Sequence, residues 1–150
     1  MVGSLVYVLN GPNLDRLGKR QPEIYGTDSL DHIRKMCEEK AEEYDSGIRF
    51  LQSPHEGDLV RWIAEADDTA QGIVINAAAY THTSFAILDA LLGASIPSVE
   101  VHISNIYKRE TFRQHSAIAC GTSGMITGFG SIGYVYALVA VFDIISVKKR

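Results

Sequence analysis

The alternation of strand and helix patterns along the chain is the feature that most constrains its fold. Short apolar runs bounded by turn residues are typical of buried strands. Such runs lie at 5–9, 48–52, 72–76, 98–102 and within 117–127. Apolar residues at helical spacing lie between and after them, at 29–44, 56–66, 84–92 and 133–145. Because helical crossovers join parallel strands, this order predicts a parallel sheet with right-handed connections.

Two of these segments indicate how the layers pack. In the first predicted helix, Leu30, Ile33 and Ala41 lie on one face, as expected for a helix packed on a sheet. The run at 72–76 is almost continuously apolar, which is typical of a strand buried on both faces. The sequence therefore predicts an α/β fold of the flavodoxin-like type. This is a three-layer sandwich in which helices cover both faces of a five-stranded parallel sheet.

Length and composition predict one globular catalytic domain over residues 1–150. The chain has 150 residues, 46% of them apolar, which is ordinary for a single compact domain. Its net charge of -4 argues against a nucleic-acid partner, because nucleic acids select basic surfaces. A small anionic substrate stays possible, since a few well-placed arginines are enough to bind it.

Several further features predict a cytoplasmic protein without a membrane partner. The two cysteines, Cys37 and Cys120, lack zinc-site spacing and fit a reducing compartment. No basic segment precedes the first apolar run, so no signal peptide is predicted. The apolar stretch at 135–147 contains Asp143 and is too short to span a bilayer.

Polar groups follow three of the predicted strands directly. They are the turn at 10–13, Asn76 with the Thr-His-Thr segment at 81–83, and the segment at 100–105. Since the carboxyl ends of parallel strands meet at one edge of the sheet, these groups are expected to lie together. That edge is the predicted active site.

The loop at 13–26 is long for a connection between a strand and a helix, and long loops often act as lids. It carries three cations and Tyr25, which is compatible with a solvated basic loop and a structural tyrosine. Alternatively, Arg20 could fold back onto Tyr25 and favour the phenolate, making a general base for a proton next to a carbonyl. The loop has no glycine-rich phosphate-binding pattern, so it gives little support for nucleotide binding.

The fourth strand and the segment after it offer a second set of groups. Glu100 and His102 are two residues apart and point to the same face, so the carboxylate could orient the imidazole as a general acid. A histidine that merely satisfies a backbone carbonyl is equally compatible with this spacing. Arg109 and Arg113 could bind an anion or form surface salt bridges. The residues His82, Asp89 and His102 could nominally bind a metal, but no metal-site spacing supports this.

Four motifs occur along the chain in a fixed order. They read NGPNLDRLGKRQPEIYG at 10–26, NAAAYTHTS at 76–84, EVHISNIYKRETFRQHS at 100–116 and GTSGMITGFGSIGY at 121–134. Together they resemble the type II 3-dehydroquinate dehydratases (type II dehydroquinases) over nearly the whole chain. The resemblance implies a cofactor-free, metal-free anti elimination of water from 3-dehydroquinate, giving 3-dehydroshikimate. The reaction serves aromatic biosynthesis through the shikimate pathway, or quinate catabolism.

The resemblance also implies roles for individual residues. Tyr25 would take the C2 proton, and Arg20 would favour its phenolate and help to close a lid at about 18–26. Asn13 would hold a water that stabilises the enolate. His102, beside Glu100, would then protonate the departing C1 hydroxyl.

Further positions are implied in substrate binding and assembly. Those matching the family's contacts to substrate hydroxyls and carboxylate are Asn76, His82, Ile103, Ser104 and Arg113. The position of Asp89 reaches a neighbouring subunit's site in a homododecamer built from trimers.

One departure and two alternatives accompany the resemblance. Ala78 stands where family members often have glycine, and it would be strained if the backbone there needs a positive φ. A non-catalytic flavodoxin-like binding module is the main alternative, but 10–13 supplies neither a flavin-phosphate loop nor an acidic cluster. Metal-assisted hydrolysis of a small anion is a second alternative.

Overall fold

The computed structural model describes residues 3–19 and 21–148. The strands are β1 Ser4–Asn10, β2 Ser46–Gln52, β3 Gly72–Asn76, β4 Ser98–His102 and β5 Gly124–Thr127. The helices are α1 Pro22–Tyr25, α2 Leu30–Glu42, α3 Glu56–Thr69, α4 Phe85–Gly93 and α5 Ile132–Lys148. Each predicted strand and long helix is present within a few residues of its expected bounds. The short α1 and several 3-10 turns lie in segments that were expected to be irregular.

All neighbouring strands pair in parallel, in the order β2-β1-β3-β4-β5. This confirms the predicted five-stranded α/β fold. After β1 the chain moves outward to β2 and then returns to the other side of β1 as β3, so the strand order reverses between β1 and β3. Asn10 and Asn76, the last residues of these two strands, are register partners at that switch point. Ligands bind at such a point in open α/β sheets.

Alternating side chains of the central strands enter two separate hydrophobic cores. Val6 and Val8 pack with α2 and α5 on one face of the sheet, where Tyr134 is also buried. Tyr7 and Leu9 pack with α3 and α4 on the other face. This period-two alternation explains why the sheet is covered on both sides. The cores hold the strands rigidly, so the loops at their carboxyl ends start from fixed positions.

Local hydrogen bonds set where the helices begin. The Ser29 hydroxyl accepts from the His32 N–H at 3.1 Å at the start of α2, and Ser84 accepts from Ile87 at 2.9 Å at the start of α4. These are ordinary N-caps. Across the 3–19 and 21–148 ranges, no helix combines the length and apolar character that a membrane span requires.

Candidate active site

A cavity of about 200 Å³ opens at the carboxyl edge of the sheet, beside the switch point. Its walls come from the loops after β1, β3 and β4, with Tyr25 of α1 contributing from one side. The lining side chains predicted from the sequence are Asn13, Tyr25, Asn76, His82, His102, Ile103, Ser104 and Arg113. The topology therefore brings residues that are as many as 100 positions apart, Asn13 and Arg113, into one cavity.

Two of the predicted site residues that the structure describes do not line this cavity. Glu100 lies behind His102 and is fully buried. Asp89 is exposed on α4, away from the cavity. Arg20 lies outside the described residues. In 3–19 and 21–148, no three His, Cys, Asp or Glu side chains come together as a metal-binding group, and the nominal set of His82, Asp89 and His102 is not brought together.

The imidazole of His102 is held by a buried carboxylate. Nε2 of His102 lies 2.5 Å from Oε2 of Glu100, and the two residues are 5% and 0% exposed. Ser116 donates its hydroxyl to the same carboxylate, at 2.8 Å from Oε2 and 3.0 Å from Oε1. The Ser116 oxygen also accepts from the Ala119 N–H at 3.1 Å, which fixes the hydroxyl in place. A carboxylate can only accept, so Nε2 of His102 carries the proton and Nδ1 is the nitrogen left for proton exchange.

The hydroxyl of Tyr25 lies beside a guanidinium that also lines the cavity. Nη1 of Arg109 is 3.1 Å from the Tyr25 oxygen and 3.3 Å from the Ser104 hydroxyl. The centre of the same guanidinium lies 5.4 Å from the centroid of the Tyr25 ring. Arg109 therefore holds the Tyr25 oxygen in place at the cavity.

Arg109 and Arg113 both reach the cavity and both approach Glu110. Nε of Arg113 is 2.8 Å from the Glu110 carboxylate, and Nε of Arg109 is 3.8 Å from it. The pKa of Glu110 is lowered, chiefly by its own backbone N–H and further by the two guanidinium groups. Arg109 and Arg113 can therefore both pair with Glu110 and bind an anion, because the ion pairs orient guanidinium groups that line the cavity.

His82 presents a neutral ring to the cavity. Its Nδ1 lies 2.8 Å from the carbonyl oxygen of His115, which can only accept, so Nδ1 carries the proton. Burial lowers the pKa of His82 below its usual value, and the His115 carbonyl opposes this only in part. The ring is thus uncharged near neutral pH and keeps Nε2 as a hydrogen-bond acceptor.

The backbone after β3 has a positive φ at Ala78, the conformation in which an alanine is strained. Ala78 has a φ of +53°, in the left-handed region that alanine rarely adopts. Its N–H donates to Oδ1 of Asn76 at 3.1 Å, so the strained turn fixes one end of the Asn76 amide. The methyl group is accommodated at this position, but at the cost of backbone strain.

Two contributors to the site were not identified from the sequence. The sequence left Arg109 as a possible surface ion pair, although the structure places it on Tyr25. Ser116 was not singled out, because nothing in a spacing of 16 residues indicates contact with Glu100. The motif at 100–116, which contains Arg109 and Ser116, was the available signal for both.

Comparison with known proteins identifies the family. The family model described as dehydroquinase class II matches residues 4–142. The chain belongs to this family. A relative named 3-dehydroquinate dehydratase from Bartonella tribocorum is 53% identical over 134 residues, which cover 89% of this chain and 90% of the relative.

Solved structures of the family agree with this fold. The type II dehydroquinase from Butyrivibrio crossotus is 40% identical and superposes with a TM-score of 0.90, covering 93% of this chain and 97% of the other. The type II dehydroquinase from Propionibacterium acnes is 41% identical with a TM-score of 0.89, covering 95% and 98%. The resemblance expected from the motifs is confirmed.

Proposed function

We propose that this chain is a type II 3-dehydroquinate dehydratase, which removes water from 3-dehydroquinate by a cofactor-free anti elimination. The observation that carries the proposal is the convergence of Tyr25 and His102 on one cavity, each with its own charged partner. Membership of the family and the names of its relatives support it. The reaction would serve the shikimate pathway of aromatic amino acid biosynthesis, or quinate catabolism.

The first step is removal of the C2 proton by the phenolate of Tyr25. The C3 ketone acidifies this proton, and the C–H electron pair becomes the C2–C3 double bond of an enolate, with the negative charge on the C3 oxygen. The Arg109 contact at 3.1 Å supports this step, because it fixes the Tyr25 oxygen that would take the proton. Arg20 is proposed to add a second positive charge, and Asn13 to hold a water that stabilises the enolate oxygen.

The second step is loss of the C1 hydroxyl as water. The enolate electrons re-form the C3 carbonyl and place a double bond between C1 and C2, while the C1–O bond breaks. His102 gives a proton to the departing oxygen, and Glu100 stabilises the imidazolium that precedes this transfer. Tyr25 then releases its proton to solvent and His102 takes one up from solvent, which returns both groups to their starting states.

Binding groups on the cavity wall fit a polar, singly charged ring. The Arg113 guanidinium and the backbone of Ile103 and Ser104 are proposed to bind the carboxylate. His82 and Asn76 are proposed to bind the ring hydroxyls. An uncharged His82 is suited to this, since it can accept from a hydroxyl without repelling the neighbouring arginines.

The segment at 18–26 is proposed to act as a lid over the cavity of this single domain. Gly18 and Gly26 lie at its ends with φ values of +87° and +78°, and glycine tolerates rotation at such positions without strain. Leu17, just before the segment, is 6% exposed and anchors it to the core. Closure would exclude water from the enolate.

A homododecamer built as a tetramer of trimers is proposed, with a cytoplasmic location. Asp89 lies on α4 between Phe85 and Leu92, which are 70% and 59% exposed. Such an apolar surface is typical of a protein interface. Burial of this face against a neighbour would direct Asp89 toward the neighbour's cavity.

The proposed activity is tested by following the ultraviolet absorbance of the conjugated enone as purified protein acts on 3-dehydroquinate. We expect turnover at neutral to alkaline pH without added metal or cofactor. No increase in absorbance over that pH range would overturn the proposal. Treatment with a chelator is the control: activity lost with chelator and restored by a divalent metal would favour metal-assisted chemistry instead.

A further inference from the structure

A buried chain of polar side chains lies beneath the cavity and ends at Asn76. Asn10 and Asn76 close β1 and β3 as register partners and are 0% and 3% exposed. Tyr134 of α5 is 0% exposed and places its hydroxyl between their two amides. Polar groups buried to this degree must be paired, so the order of donors and acceptors along the chain is constrained.

The first end of the chain is a backbone carbonyl. The oxygen of Leu51 can only accept, and Nδ2 of Asn10 donates to it at 3.0 Å. The other amide atom of Asn10, Oδ1, therefore faces Tyr134 and accepts from its hydroxyl at 2.8 Å. The single hydroxyl proton of Tyr134 is thereby committed to Asn10.

The second end of the chain is a backbone N–H. Because its proton goes to Asn10, the Tyr134 oxygen accepts from Nδ2 of Asn76 at 2.9 Å. Oδ1 of Asn76 then accepts from the N–H of Ala78 at 3.1 Å, and an N–H can only donate. An obligate acceptor at one end and an obligate donor at the other permit only one orientation of every amide between them. Burial raises the pKa of Tyr134 above its ordinary value, so its hydroxyl keeps its proton.

We propose that Tyr134, acting with Asn10, is a positioning residue that fixes the amide orientation of Asn76 on the cavity wall. The inference rests on the proposed function, in which Asn76 binds a substrate hydroxyl. A fixed amide presents its second N–H and its second oxygen lone pair to the substrate in one arrangement. Without the Tyr134 hydroxyl, the amide keeps the Ala78 N–H at Oδ1 but loses the acceptor of Nδ2. Its plane is then held at one end instead of two, and misoriented states bind substrate less well.

Tyr134→Phe tests this role, with Tyr7→Phe as the matched control. Tyr7 is 1% exposed and its hydroxyl is also paired, with Glu65 at 2.9 Å, but it lies in the core on the other face of the sheet. Both variants remove one hydroxyl from a buried ring, so both should lower Tm. Only Tyr134→Phe should lower kcat/KM, by about tenfold, which is the effect of one hydrogen bond of about 1.4 kcal/mol.

A double variant separates positioning from a general loss of structure. If the hydroxyl acts through Asn76, then Tyr134→Phe combined with Asn76→Ala should lose no more kcat/KM than Asn76→Ala alone. Asn10→Ala should reproduce the Tyr134→Phe loss, because it frees the hydroxyl proton to point toward Asn76. Asn10→Ala keeps the inference testable if Tyr134→Phe folds poorly.

Two results would overturn the positioning role while leaving the proposed function intact. One is an active wild-type protein together with a Tyr134→Phe variant that keeps kcat/KM within twofold of the wild-type value. The other is a double variant whose loss equals the product of the two single losses. No turnover in the wild-type protein would instead overturn the proposed function, and this inference with it.

Discussion

Two regions of the cavity differ in burial and in what holds them. The proposed acid side consists of Glu100, His102 and Ser116, and the proposed base side consists of Tyr25 and Arg109. On the acid side, a strand end and a fully buried carboxylate fix the imidazole. On the base side, Tyr25 is half-buried on the four-residue helix α1.

Backbone contacts show the same difference. The N–H groups of Ile24, Tyr25 and Gly26 all donate to Gln21 or Pro22 within their own segment. β4, in contrast, pairs with a strand on each side. The base side can therefore move without breaking the sheet, while the acid side cannot. A preformed acid can thus coexist with a base delivered by a movable segment.

Loss of the base should have the largest effect. Tyr25→Phe removes the only atom of this side chain that can carry the C2 proton, so we expect kcat to fall by roughly 10³-fold or more. Enone formation measures the loss, and circular dichroism checks the fold. Tyr107→Phe, an exposed tyrosine in the segment after β4, is the control and should retain activity. Substantial turnover by Tyr25→Phe would assign the base to another residue.

Removal of the cation beside the phenol should have the next largest effect. Arg109→Met removes the N–H that donates to the Tyr25 hydroxyl, so the oxygen proposed to take the C2 proton is no longer held in place. A hydrogen bond to a charged group contributes about 1.5–3 kcal/mol, so we expect kcat to fall by about 10- to 100-fold. Steady-state enone formation measures this loss. Arg61→Met, which removes an exposed arginine on α3, should leave kcat unchanged.

A change in KM with kcat unchanged would contradict the proposed role of Arg109 at Tyr25. It would instead indicate that Arg109 only shapes the cavity through its contact with Ser104.

Loss of the Ser116 hydrogen bonds to the Glu100 carboxylate should have a moderate effect. Ser116→Ala removes a donor from a buried, charged acceptor, which costs about 1–3 kcal/mol of stability, and should lower kcat roughly tenfold. Urea unfolding and steady-state kinetics measure the two losses. Ser98→Ala, at the opposite end of β4, is the control and should leave kcat unchanged. An unaltered kcat in Ser116→Ala would show that Glu100 is held without this hydroxyl.

Relief of strain at the turn after β3 should have the smallest effect. Ala78→Gly removes a left-handed alanine, which should raise the free energy of unfolding by about 1–2 kcal/mol. Glycine also adds chain entropy to the unfolded state, which lowers the free energy of unfolding by about 0.4–1 kcal/mol. We expect a net stabilisation of about 0.5 kcal/mol. A lower urea midpoint in the variant would show that the methyl group contributes packing that exceeds the strain.

The sequence predicted the sheet and the cavity edge well, and the physical reasons are local. Apolar periodicity marks where strands and helices lie, and parallel pairing then brings the groups after β1, β3 and β4 together. The pair Glu100 and His102 was predictable because two residues on one strand share a face. The motif resemblance supplied the roles, which spacing alone left open.

Contacts between distant segments could not be predicted in the same way. Arg109 meets Tyr25 across 84 positions, and Tyr134 meets Asn10 across 124, so their proximity depends on the folded path of several loops. The φ of Ala78 depends on the turn that surrounds it, and residue identity alone did not reveal it. Arg20 and its proposed contact with Tyr25 lie outside the described residues and stay a prediction.

Exchange of the C2 hydrogen in D2O tests most directly whether base and acid are separate groups on the two sides. In His102→Ala, Tyr25 can still form the enolate, which returns to the ketone when the hydroxyl cannot leave. We therefore predict that His102→Ala places deuterium at C2 of 3-dehydroquinate faster than it dehydrates it, while Tyr25→Phe does neither above the rate of buffer alone. Exchange by Tyr25→Phe, or its absence in His102→Ala, would contradict this division of roles.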